Sequence, residues 1–102
     1  MIRLLIADDE RLEREALAEM VTRRFEHEVV LEMAENGRKA ADSAILWGAD
    51  LILMDIEMPG MNGLDAARAV LEQRPECKVI FVTAYSLFQY AHEAVHLGAC
   101  DY

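Results

Sequence analysis

The sequence predicts an α/β domain built as a doubly wound parallel sheet with helices on both faces. Three observations carry that prediction. Short apolar runs alternate with segments of helical periodicity along the 102 residues. The runs are apolar nearly throughout, as strands buried on both faces are, rather than alternating. Gly, Pro and Asn punctuate the joins between them. A chain of this length suffices for one core and one domain.

The elements follow in order. Arg3–Ala7 is rich in Leu and Ile and too short for a helix, so it reads as strand 1. Glu10–Phe25 places Leu12, Ala16, Leu17, Met20 and Val21 in one helical stripe. Val29–Ala34 opens on β-branched residues and reads as strand 2, with Met33 assigned to the core. Asn36 suits the cap of a helix whose inner face is Ala40, Ala41, Ala44 and Ile45, with Trp47 packing at its end. Asp50–Met54 gives strand 3, with Met54 in the core, and Met58–Gly63 is a loop. Leu64–Gln73 is helical, and Pro75 follows its end. Val79–Val82 gives strand 4. Ser86-Leu-Phe-Gln89 has the form of a capping box and opens a helix closing at Gly98. Cys100-Asp101-Tyr102 reads as the opening of a fifth strand. The expectation is therefore one domain over 1–102, truncated within strand 5 and lacking helix 5.

Composition narrows the function classes. Ten Lys and Arg against nineteen Asp and Glu give a net charge of −9. Such a surface repels phosphate backbones, so contact with DNA by this segment itself is not expected. No apolar stretch approaches the ~20 residues that span a bilayer, and the N-terminus has no signal-peptide pattern, so a cytoplasmic chain without membrane contact is expected. Cys77 and Cys100 are read as reduced, unreactive thiols. His92 and His96 are four apart on the last helix, but nothing completes a metal set with them.

The chemistry sits at one sheet edge. Every strand of a parallel sheet ends there, and open α/β sheets bind ligands in that crevice. Asp8 and Asp9 follow the first run, Asp55 follows the third, and the fourth leads into Thr83. Three carboxylates in one place repel, and a hard divalent cation relieves them. Mg2+ takes oxygen ligands and typically uses one or two carboxylates. Asp9 and Asp55 are the expected direct ligands, with Asp8 acting through a water. A carboxylate beside such an ion can act as a nucleophile toward a phosphoryl group. Asp55 closes the central strand and is the best candidate; Ile56 and Met58 would shield it from bulk water. Thr83 can donate a hydrogen bond to a phosphoryl oxygen.

These residues resemble a known family. Leu5-Ile6-Ala7-Asp8-Asp9-Glu10, the stretch from Asp50 through Asp55 to Gly63, Val82-Thr83-Ala84 and Leu97-Gly-Ala-Cys-Asp-Tyr102 are similar to the motifs of bacterial two-component response regulator receiver domains (CheY-like). Ala84–Ala91 further resembles receivers that precede an AraC-type DNA-binding output domain. The resemblance implies a flavodoxin-like fold with strand order 2-1-3-4-5. It implies that Asp55 accepts a phosphoryl group from a sensor histidine kinase, and that Asp9, Asp55 and the Glu57 backbone carbonyl bind Mg2+. It makes Thr83 the phosphate sensor and Tyr102 the switch aromatic. It also implies a homodimer of the full-length protein, with DNA reached only through an output domain. The family places a Lys three residues beyond the switch aromatic, which would fall past Tyr102. Lys39 and Lys78 are not placed to substitute for it.

Glu57 and Tyr85 lie two residues beyond Asp55 and Thr83, where they would tune water access and phosphate lifetime. The expected chain is a self-phosphorylating and self-dephosphorylating switch rather than an enzyme with separate substrate turnover. Three other readings are weaker. An aspartate-nucleophile phosphatase would need a second Asp where Glu57 stands, and a cap. A nucleotide-binding domain would open strand 1 into a Gly-rich loop. An inactive receiver-like dimerisation module would not need the four site residues.

Overall fold

The computed structural model describes residues 1–82. Within them the order is β1 (Ile2–Ala7), α1 (Arg11–Arg24), β2 (Val29–Ala34), α2 (Gly37–Trp47), β3 (Leu51–Met54), α3 (Gly63–Gln73) and β4 (Lys78–Phe81). All three strand pairings are parallel, and the sheet runs β2-β1-β3-β4. This matches the predicted order as far as β4. The fourth predicted helix and the fifth strand lie outside the described residues.

β1 is an inner strand, paired with β2 and β3, and its alternation sorts the helices. Leu5 and Ala7 face the larger core, with Ala40, Ala41 and Ala44 of α2 and Ala66, Ala67 and Val70 of α3. Leu4 and Ile6 face Val21, Leu17 and Ala18 of α1. Leu5, Ile52 and Val79 are in register across three strands and fully buried.

Two expectations about burial need correction. The apolar reading of strand 2 does not make it a buried strand: Val30, Glu32 and Met33 are exposed. Among the described residues β2 ends the sheet, with β1 as its one strand neighbour, so one long side of it is not walled by another described strand. The stripe on α1 is also displaced. Val21 is buried and Leu17 half-buried, but Leu12 is 79% and Met20 56% exposed. Nine residues at about 100° each put Leu12 half a turn away from Val21. The helix seats the Leu17–Ala18–Val21 side, and Leu12 faces outward.

The caps explain where the helices begin and end. Asn36 Oδ1 accepts the Lys39 N–H at 2.8 Å, and Asn62 Oδ1 accepts the Asp65 N–H at 2.9 Å. Gly48 closes α2 with φ +81°, a left-handed conformation that Gly adopts without a Cβ penalty. Arg3 Nη1 donates to the last α2 carbonyl, Trp47 O, at 2.7 Å. Asn36→Ala is expected to lower stability by about 1 kcal/mol, read as a shift in the urea midpoint at unchanged slope.

Candidate metal and phosphoryl site

The strand ladders run one residue past β1 and β3, and this sets the acids in place. Asp8 N–H donates to Ala34 O at 3.1 Å, and Asp55 N–H donates to Ala7 O at 2.8 Å. Ala7 and Met54 are register partners, so the acids that follow them leave adjacent strand ends. One carboxylate oxygen from each of Asp8, Asp9 and Asp55 lies within 4.8 Å of the others. Asp8 is 2% and Asp55 8% exposed, while Asp9 is on the surface.

The electrostatics of this cluster are unrelieved. No ion pair among the described residues reaches any of the three acids. Burial, then the neighbouring Asp8 charge, pushes the Asp55 carboxyl up to about 7; the Glu57 N–H, 3.3 Å from Asp55 Oδ1, pulls the other way. The Glu13 carboxyl is raised as well, chiefly by its hydrogen bond with the Asp8 carboxyl. Asp8 Oδ1 also accepts the Glu10 N–H at 2.9 Å, which turns the chain from β1 into α1.

Three hard oxygen donors, two of them buried and none paired, match the ligand preference of a small divalent cation. The cluster can hold such an ion. Ile56 and Met58 are both buried. Glu57 is exposed. Thr83, Tyr85 and Tyr102 lie outside the described residues.

Glycines hold the loop that follows Asp55. A Cβ on Gly63 would overlap the Asp55 carbonyl oxygen and stand 2.9 Å from the Ile56 Cα. Gly63 N–H also donates to Ile56 O at 2.9 Å. A Cβ on Gly37 would overlap the Met61 carbonyl oxygen. The site opens beside Asp9 into a cleft of about 760 Å³ lined by Glu35, Asn36, Arg38, Lys39 and the Pro59–Met61 loop. Lys39 at its rim is paired with Glu35 at 2.5 Å.

Two contributors were missed from the sequence. Gly63 read only as a loop breaker. Arg14, whose Nη1 donates to Asp8 O at 2.8 Å, was not singled out at all.

The family model described as response regulator receiver domain matches residues 4–102. The sensory transduction protein LytT of Bacillus subtilis (strain 168) is 36% identical over 102 residues, covering 100% of this chain and 41% of LytT. The transcriptional regulatory protein LnrK of the same organism is 34% identical, covering 100% of this chain and 46% of LnrK. The solved receiver (REC) domain of AraT, a response regulator from Geobacillus stearothermophilus, superposes with a TM-score of 0.86 at 38% identity, covering 99% of this chain and 78% of that one. The chain thus spans less than half the length of these two curated relatives. Among the described residues no helix is long and apolar enough to cross a membrane. From the fold, the acid trio and these matches together, the chain belongs to the response regulator receiver domains of two-component systems.

Proposed function

We propose that this chain is a phosphorylation switch in which Asp55 accepts a phosphoryl group from a phosphohistidine of a sensor histidine kinase. The observation that carries this reading is the unpaired carboxylate trio, with Asp55 buried at its centre strand. In the transfer, an Asp55 carboxylate oxygen forms a bond to phosphorus as the phosphorus–nitrogen bond of the donor breaks. The imidazole leaves and takes up a proton.

Asp55 must be ionised to attack, yet burial and then Asp8 push its carboxyl up to about 7, so part of it is protonated near neutral pH. Mg2+, when bound, would supply the charge that favours ionised Asp55 and offsets the charge of the phosphoryl oxygens. Asp9, Asp55 and the Glu57 carbonyl would hold it, and Asp8 would act through a water. Thr83 would bond the phosphoryl oxygen, Tyr102 would follow it as the switch aromatic, and Glu57 and Tyr85 would set water access. In the full-length protein the switch would control a homodimer and an output domain acting on DNA; LnrK is a transcriptional regulator, and the relatives do not single out an AraC-type output.

The test is acetyl phosphate with Mg2+ on the full-length protein, followed by intact mass and peptide mapping. One phosphoryl group on Asp55, lost when EDTA replaces Mg2+, is the expected result. A chain that stays unmodified, or is modified elsewhere, overturns the proposal.

A further inference from the structure

Of the four arginines on α1, Arg11, Arg14, Arg23 and Arg24, two are held in ion pairs along the helix. Arg11 pairs with Glu15 at 3.0 Å and Arg23 with Glu19 at 2.7 Å, both on the exposed surface of the same helix. The Arg14 charge helps to lower the Glu35 carboxyl, after the larger effect of Lys39. Among the described residues Arg14 makes no ion pair, although Glu10 lies one turn before it and Glu35 lines the same small pocket. It is half-buried, and its guanidinium reaches off the helix to the Asp8 carbonyl oxygen at 2.8 Å.

That oxygen belongs to the peptide joining Asp8 to Asp9. A peptide unit is planar and carries the Cα atoms of both residues, so restraining its carbonyl restrains the points from which both side chains start. The rest of Asp8 is already pinned: its N–H to Ala34 O at 3.1 Å, and its Oδ1 by the Glu10 N–H at 2.9 Å. On the far side of that peptide, Asp9 is exposed. The Arg14 bond restrains the plane from which its carboxylate leaves.

We infer that Arg14 is a positioning residue for the divalent-cation site, holding the Asp8–Asp9 peptide so that both acids aim at Asp55. The inference rests on the proposed cation-binding role of the trio. Partners of this outer kind typically change metal affinity ten- to a hundred-fold when removed. A direct charge effect would have the opposite sign, because a cation beside the trio repels the metal. Loss of Arg14 therefore weakens binding only if positioning dominates.

The experiment is calorimetric binding of Mn2+ and Mg2+ to the full-length protein. Arg14→Met keeps the apolar stem and removes the donor. Arg11→Met removes the same charge from the helix surface as the control, and Arg14→Lys restores a donor of similar reach. A parent-like circular dichroism spectrum is required of each variant before binding is read. Arg14→Met is expected to bind about tenfold more weakly, Arg11→Met within twofold of the parent, and Arg14→Lys closer to the parent than Arg14→Met. A folded Arg14→Met that binds within twofold of the parent, or more tightly, overturns the inference. So does an Arg11→Met that loses as much affinity. If Arg14→Met does not fold, Arg14→Lys alone decides: binding within threefold of the parent supports positioning by a donor, and tenfold tighter binding overturns it. A parent that binds neither ion would instead remove the cation-site reading itself.

Discussion

Gly63→Ala is expected to destabilise the domain by about 3 kcal/mol, the upper part of the range for overpacking. The added methyl group meets the Asp55 carbonyl and the Ile56 Cα, which are main-chain atoms of the strand end and the loop leaving it. Neither can rotate away as a side-chain tip can. Relief requires α3 to retreat, and α3 supplies Leu64, Ala66, Ala67 and Val70 to the larger core. Gly60→Ala is the natural comparison. Gly60 has φ +73° but open space around its missing Cβ, so only the left-handed backbone resists the change, by about 1–2 kcal/mol. Equilibrium unfolding in urea reads both. Should Gly63→Ala be milder than Gly60→Ala, the close approach of α3 to Asp55 is wrong.

Asp55→Asn is expected to act in the opposite direction on stability while removing the acceptor. The Asp55 carboxyl sits at about 7 in the folded chain, raised chiefly by burial and then by Asp8, against about 3.9 when unfolded. Between those values the folded state holds a proton that the unfolded state gives up. The stabilisation is complete below pH 4 and is lost as pH rises toward and through 7. At pH 8 without metal, the folded chain carries the full repulsion among buried acids. The neutral amide removes that repulsion in nearly the same volume. We expect about 2 kcal/mol of added stability at pH 8 in EDTA, roughly half of what the separation in pKa would give for an isolated group. Near pH 4 the gain should vanish. Mg2+ should stabilise the parent more at pH 8 than at pH 5, because binding must displace the proton at the lower pH. Urea unfolding of parent and variant at both pH values measures all of this. A variant less stable than the parent at pH 8 would show that the acids are not in conflict.

How much of this was legible in the sequence depends on what each residue's role rests on. Asp8, Asp9 and Asp55 could be brought together before the fold was known, because parallel strands end at one edge and Asp8-Asp9 and Asp55 directly follow apolar runs. Asn36 was readable as a cap from its place before a helical stripe. The seating of α1 was not, since Leu12, Met20, Leu17 and Val21 offer two apolar sides and only the position of Leu4 and Ile6 chooses between them. β2 was misjudged because an apolar run does not reveal whether a strand stands at the sheet's end. Gly63 and Arg14 were missed for a common reason. One acts through a side chain it lacks and the other on a main-chain oxygen, and neither leaves a pattern in residue types.

The trio's dimensions have a source outside the loops. Asp8 and Asp55 continue strands whose preceding residues are register partners, so their separation is inherited from the interstrand spacing of about 4.8 Å. The sheet is thus a gauge that sizes the opening between the two acids. Deleting one residue from β1 or β3 would shift an acid by roughly 3.3 Å and turn it to the opposite face. Gradual tuning of that aperture along these strands is therefore closed to evolution, which is left with the residues around it.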